Sequence, residues 1–256
     1  MITSSMTYRE MYDHFSKDRE KLNYKVDYYL PKAVKELSAS KSFPAWKKYD
    51  YVSPLTRNKY VIFYYAANNQ QVINPIKSLF SLVYFDTTLY IFKWHVSGYR
   101  HTQEREIEGV RTIYIYTQHF LQRYNERFLK DKTLNIIDVA IRFLVRNPEY
   151  LPITITEGIN RNIEKYGEDG KRGFKVKDGI CFALSAIEGQ GNEDGDKNKD
   201  IVDAIVVLFT TFVPEFQMTP EQQEAVLQEH WDKWIHYCET FMKESKNGVL
   251  TRRLNH

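Results

Sequence analysis

Residues 111–129, RTIYIYTQHFLQRYNERFL, change their hydrophobic period in mid-course. Ile113 and Ile115 alternate with Thr112, Tyr114 and Tyr116 as a half-buried strand requires, and Thr117 stands where it can cap a helix that follows. A strand that passes straight into a helix obliges that helix to pack back on the sheet, which limits the chain to folds with helices laid on strands. At about 100° per residue, His119, Gln122, Arg123, Glu126 and Arg127 fall on one arc, and Phe120, Leu121, Tyr124 and Phe128 fall on another. The second arc is expected to meet the sheet and the first to face outward.

The outward arc carries the candidate chemistry. His119 is expected in the first helical turn, where free backbone N–H groups and the positive end of the helix dipole disfavour imidazolium and attract an oxyanion. Arg123 and Arg127 continue that arc about 6 and 12 Å further along the axis, a spacing that suits a phosphodiester backbone. The plain alternative is a solvated helix face on which Glu126 pairs with a neighbouring arginine.

His119-x-x-x-Arg123-x-x-x-Arg127, followed by an apolar helix, a strand pair and a last strand ending in Thr211-Phe212, resembles a group of small, functionally uncharacterised bacterial domains that open with His-x-x-x-Arg-x-x-x-Arg. Those domains are grouped with the barnase, EndoU, colicin and RelE ribonuclease-like fold. The resemblance covers residues 111–213. It implies a metal-independent RNA-cleaving or RNA-binding domain, with His119 as acid or base, Arg123 and Arg127 as phosphate contacts and Thr211 facing the helix. This chain departs from the group where the helix ends in Arg127-Phe128-Leu129 instead of a glycine turn, and where a long insertion parts the later strands.

On either side of this stretch the chain reads as follows. Thr7-x-x-Glu10 is a capping-box pattern, and apolar residues at helical spacing predict one long first helix that runs until Pro31 interrupts. Residues 38–59, punctuated by serines and by Pro44 and Pro54, read as a connector in which Lys47 and Lys48 interleave with Trp46, Tyr49 and Tyr51. Such interleaving serves single-stranded nucleic acid, or else pins a loop to the core through its rings. From Tyr60 the runs YVIFYYA, SLFSLVYF and TTLYIFKWHV predict an antiparallel meander leading, through a polar loop at 98–109 that holds His101, to the strand before His119. Asn135 can cap an almost wholly apolar helix from Ile136 to Arg146, stopped by Asn147-Pro148. Residues 173–187 read as a hairpin around Lys177-Asp178-Gly179, Ile201 to Val213 as the strand that closes the sheet, and 189–200 as a solvated loop. Thr219-Pro220-x-Gln222 then predicts a capped C-terminal helix with an apolar stripe through Leu227, Trp231, Trp234, Ile235, Cys238, Phe241 and Met242.

The expected fold is therefore α+β: a mainly antiparallel sheet of about six to eight strands, an N-terminal helical segment, two central helices and a long C-terminal helix. Residues 1–58 are assigned to a helical extension, 59–244 to the core domain and 245–256 to a tail. With 43% of its 256 residues hydrophobic, the chain can bury a sizeable core. Two cysteines, both at positions expected to be buried, and the lack of an apolar leader or span predict reduced thiols in a cytoplasmic, non-membrane protein. The net charge of +3 hides an asymmetry: residues 16–60 hold eleven Lys or Arg against five Asp or Glu, and residues 200–244 hold two against nine. That favours an anionic partner near the basic end.

Three functions follow. One is metal-independent ribonuclease action through His119, Arg123 and Arg127, with His101, Glu126 or Thr211 completing the site. The second is non-catalytic binding of RNA or another polyanion through Lys47, Lys48, Arg123 and Arg127. The third is a structural or interaction role, with a partner or second copy on the C-terminal stripe. No Cys-x-x-Cys, His-x-Glu or His-x-x-x-His spacing predicts a metal site, and no glycine-rich phosphate loop predicts a nucleotide cofactor.

Overall fold

The computed structural model describes residues 1–100, 107–153, 171–190 and 201–218. Its elements are α1 (Tyr8–Ser16), α2 (Arg19–Ser38), β1 (Ala45–Val52), β2 (Lys59–Ala66), β3 (Ile76–Phe85), β4 (Thr88–Arg100), β5 (Ile107–Thr117), α3 (Gln118–Tyr124), α4 (Ile136–Arg146), β6 (Leu151–Ile153), β7 (Lys171–Val176), β8 (Gly179–Gln190) and β9 (Ile201–Pro214).

All nine strands form one sheet in the order β1-β2-β3-β4-β5-β9-β8-β7-β6. Two antiparallel meanders, β1 to β5 and β6 to β9, meet where β5 and β9 run parallel, from Arg111 opposite Ala204 to Tyr116 opposite Phe209. This corrects the expected architecture: the described residues are mostly sheet, the sheet is mixed and nine-stranded, and β9 lies at its centre where a closing strand was expected. The residues expected to form the C-terminal helix, together with Cys238, lie outside the described residues, as do His101 and the 191–200 loop.

Helices lie on both faces. On one, α3 and α4 pack Phe120, Tyr124 and Phe143 against Tyr116, Phe209 and Phe212 in a fully buried aromatic cluster. Tyr116 stacks on Phe209 at 4.9 Å, while Phe143 meets Phe120 and Phe212 meets Tyr124 edge-on at 5.0 and 4.9 Å. Each such ring contributes about 2 to 3 kcal/mol through burial. On the other face α1 sets Met11 and Phe15 against Phe92, Ile113 and Val206, and α2 sets Ala33 and Leu37 against Ile62 and Tyr64.

The predicted caps form as side-chain chemistry dictates. Thr7 and Glu10 complete the capping box, Thr117 accepts the Phe120 N–H, and Asn135 accepts those of Ile137 and Asp138. The single long first helix is corrected to two. The chain breaks between Ser16 and Arg19 because Asp18 turns inward, where its carboxylate accepts from Ser53 Oγ and Tyr60 Oη, both at 2.5 Å, and from the Thr56 hydroxyl. Pro31 lies inside α2, where burial of Ala33 and Leu37 offsets the roughly 3 kcal/mol that an interior proline costs.

The connector expected at 38–59 contains β1, paired along its whole length with β2. Its rings and charges alternate on both faces, so no apolar run marks it, and lysine is what protects an edge strand from further pairing.

Candidate functional site

The helix that follows β5 places its residues differently from the predicted arc. Thr117 Oγ accepts from Phe120 N–H and donates to the Phe209 carbonyl, each at 3.0 Å, fixing the first turn against β9. His119 is exposed there, and Arg123 follows one turn later, joined to Glu126 by an exposed 3.0 Å ion pair. From Asn125 to Leu129 the backbone then winds as a π-turn, closed by Lys130 in the left-handed region at φ 54° with its N–H on the Asn125 carbonyl. A π-turn advances less per residue than an α-turn, so Arg127 swings off the line of His119 and Arg123. Its Nη1 donates to the Phe212 carbonyl at 2.6 Å, and burial, followed by the charge of Arg123, holds this guanidinium below its ordinary value.

Thr211 is carried to the other face of the sheet. A bulge at Thr210, whose Oγ donates to the Phe182 carbonyl at 3.1 Å, interrupts the alternation of β9. Phe209 and Phe212 therefore both meet Phe120, and Thr211 shares the opposite side with Val213. Of the expected catalytic set, His119 and Arg123 share a side of α3, Arg127 is committed to backbone and Thr211 points away.

Lys47 and Lys48 are parted by the pleat of β1. Lys48 Nζ lies 2.6 Å from Asp138 Oδ1, which also accepts the Trp46 indole N–H at 2.8 Å, so this side of β1 is tied to the first turn of α4. Lys47 shares the opposite face with Tyr49 and Tyr51, toward α2.

That opposite face leads to an array of cations and rings. Lys21, Tyr24, Lys25, Tyr28, Lys32 and Lys35 recur along α2 at three- and four-residue steps and so lie on its outward side, over about 21 Å. Tyr24 and Tyr28 are 58% and 60% exposed, with ring centroids 6.1 Å apart. Lys21 Nζ stands 5.4 Å from the Tyr24 ring, and Lys25 Nζ lies among Tyr28, Tyr29 and Tyr51 at 5.0, 5.7 and 5.7 Å. Tyr29 lies flat on Tyr49 at 4.7 Å, below them, and Lys32 covers Tyr49 at 5.3 Å. Burial, and after it Glu36, pushes the Tyr49 hydroxyl up to about 12. Lys32 pairs loosely with Glu36 at 3.8 Å, whereas Lys21, Lys25 and Lys35 form no ion pair among the described residues. Sequence patterning predicts the same alternation of lysine and ring in β1 and misses it in α2. The signal was present there at helical spacing, as Lys21-x-x-Tyr24-Lys25-x-x-Tyr28.

Among the described residues no three His, Cys, Asp or Glu converge to hold a metal ion, and no helix is long and apolar enough to cross a membrane. Cys181 is a fully buried free thiol, pushed up by its burial. No protein-family model, curated protein or solved structure matches this chain.

Proposed function

We propose that the protein binds single-stranded RNA without cleaving it, on the outward side of α2 and the adjoining edge strand β1. The observation that carries this reading is the exposed pair Tyr24 and Tyr28, one helical turn apart, with lysine ammonium groups set between and beside the rings. Bases stack on such rings whatever their identity, and phosphates meet the intervening cations. The buried, reduced thiol of Cys181 fits a cytoplasmic setting for such a ligand.

The test is fluorescence anisotropy of a labelled single-stranded RNA at about 50 and 200 mM salt, where contact with three or four phosphates gives a log–log slope of roughly −2 to −3. Replacing both tyrosines, Tyr24→Ala with Tyr28→Ala, is expected to weaken binding about 10- to 100-fold through lost stacking. Absence of binding at the lower salt, or equal binding by the double variant, refutes the reading. Heparin binding as tightly, with no dependence on the tyrosines, replaces RNA by polyanions in general.

A second reading, RNA cleavage without a metal, has one observation in its favour: His119 is exposed in the first turn of α3 with Arg123 a turn away. The 2′-hydroxyl would give up its proton and attack the adjacent phosphorus, breaking the bond to the 5′-oxygen, which leaves with a proton; His119 would serve one of these two proton transfers, and Arg123 would take the charge gathering on the phosphoryl oxygens. Incubation with RNA in chelator separates the readings. Cleavage that falls about 10²- to 10⁴-fold in His119→Ala restores the enzyme, and cleavage unchanged in that variant is contamination.

A further inference from the structure

Beside α1 the sheet is left partly uncovered. Phe92 stands opposite Ile115 and Ile115 opposite Leu208, so strand alternation sets the three in one row on the face that carries α1. Phe85 and Tyr90 continue this floor toward the β3–β4 turn, their rings 5.4 Å apart and Phe85 6.2 Å from Phe92. Met6, just before α1, and Met11, within it, stand over the floor and enclose an open cleft of about 700 Å³. Phe85, Tyr90, Leu208 and Met6 are left only half-buried there. That volume, walled by rings and adaptable methionines, suits a small ligand with an apolar body.

The charge in the cleft is negative. Glu188, on the same face of β8, closes the other end, four residues or about 13 Å along the strands from the row of Leu208. Its Oε2 accepts the Tyr8 N–H at 2.7 Å and the Arg9 N–H at 3.2 Å. Thr7 and Glu10 satisfy each other's N–H groups in the capping box, so every donor in the first turn of α1 is taken and none remains for an anion. Glu188 Oε1 accepts no hydrogen bond among the described residues. The positive end of a helix amounts to about half an elementary charge, against a full negative charge on Glu188 and another on Glu10. Arg9 extends along α1, to Asp13 at 4.0 Å, and among the described residues no Lys, Arg or His lines the cleft.

We infer that this cleft binds a small, elongated amphipathic amine, its ammonium on Glu188 Oε1 and its apolar body along Leu208, Ile115 and Phe92 beneath Met11. An ammonium brings the charged donor that Glu188 Oε1 lacks, whereas a carboxylate or phosphate in the same place meets like charge. The site is separate from the RNA surface. Tyr24 and Tyr28 stand on α2 and take no part in lining it.

Calorimetric titration with octylamine, octanol and octanoate, which share one apolar body, tests it. Octylamine is expected to bind saturably, octanol several-fold more weakly, and octanoate at least about tenfold more weakly than octylamine. Glu188→Gln keeps a carbonyl oxygen for the Tyr8 and Arg9 N–H groups and removes the charge, so octylamine is expected to fall to the level of octanol while octanol is unchanged. Ser4→Trp, at an exposed position on the rim, is expected to weaken all three by obstructing the cleft. The Tyr24→Ala, Tyr28→Ala variant is expected to bind octylamine as the native protein does, whatever it does to RNA. No saturable heat up to about 1 mM octylamine, or equal octylamine affinity in the native and Ser4→Trp proteins, overturns the site. Octanoate binding as tightly as octylamine, or a preference for the amine that survives in Glu188→Gln, overturns its amine class.

Discussion

Replacing Asp178 is expected to destabilise the protein more than any change on the α3 surface. The carboxylate, on a side chain 2% exposed, sits in the β7–β8 turn and gathers four hydrogen bonds. Tyr124 Oη donates at 2.6 Å, Arg146 Nε and Nη2 at 2.9 and 2.7 Å, and Asn147 Nδ2 at 3.0 Å. The turn, the π-turn helix and the end of α4 are thus held by one side chain. Asp178→Ala leaves the Tyr124 hydroxyl and the Asn147 amide buried without this acceptor, at about 1 to 3 kcal/mol each. Arg146, at 34% exposure, recovers part of its solvation, so the total comes to about 3 to 5 kcal/mol, or on the order of 10 °C in Tm. Burial alone would push the Asp178 carboxyl up, but Arg146, then Tyr124 and Asn147, outweigh it and hold the group below its ordinary value. A depressed carboxyl contributes stability that is present above the unfolded value of about 4 and is lost as pH falls through the lower folded one. Urea unfolding of native, Asp178→Ala and Asp178→Asn proteins at neutral pH and at intervals down to about pH 2 checks both parts. A loss below about 1 kcal/mol for Asp178→Ala, or a native-to-Asn difference that stays flat into acid, refutes the reasoning.

Asp18→Ala is expected to cost about 3 kcal/mol, because Ser53, Thr56 and Tyr60 all donate to that buried carboxylate, and thermal unfolding reads it directly. Gly179→Ala places a Cβ 2.3 Å from the Val213 carbonyl and 2.8 Å from Pro214 Cα, so a loss of at least about 2 kcal/mol is expected in urea; a neutral result would mean that β9 yields there. Arg127→Ala, which removes the donor from the Phe212 carbonyl, is expected to cost about 1 to 2 kcal/mol, against less than about 0.5 for Arg123→Ala in its exposed pair. Equal costs would mean that the two arginines share one role.

The features legible in the sequence are those fixed by near neighbours. Thr7, Thr117 and Asn135 cap their helices because a short side chain reaches N–H groups two or three residues on, and the Asp178-Gly179 turn closes its hairpin for the same local reason. The break at Asp18 is decided by partners thirty-five to forty-two residues away, which no periodicity records. β1 shows no apolar run because Lys47, Lys48 and Asp50 interrupt the rings that pack on its two faces. The π-turn and the Thr210 bulge each shift register locally, and that is enough to take Arg127 and Thr211 out of an arc read at a constant angle. The cation and ring array on α2 was written at helical spacing, but solvation explains lysines on a helix equally well until the exposed tyrosines are placed between them.

The parallel contact of β5 with β9 bears on the route to the folded state. Within each meander every strand pairs with its neighbour in the chain, and from β1 to β5 those partners are close in sequence, so that meander forms quickly. β5 and β9 meet across about ninety residues, a closure that comes late and has α3 to guide it, since that helix leaves β5 directly and seats on Phe209 and Phe212. Until the seam shuts, both halves present a bare inner edge beside unburied rings, the combination that recruits other chains. The topology therefore predicts slow refolding that loses yield as concentration rises. Pulse-labelled hydrogen exchange should protect the β2–β3 amides before those shared by β5 and β9; simultaneous protection would mean that the two halves never exist apart.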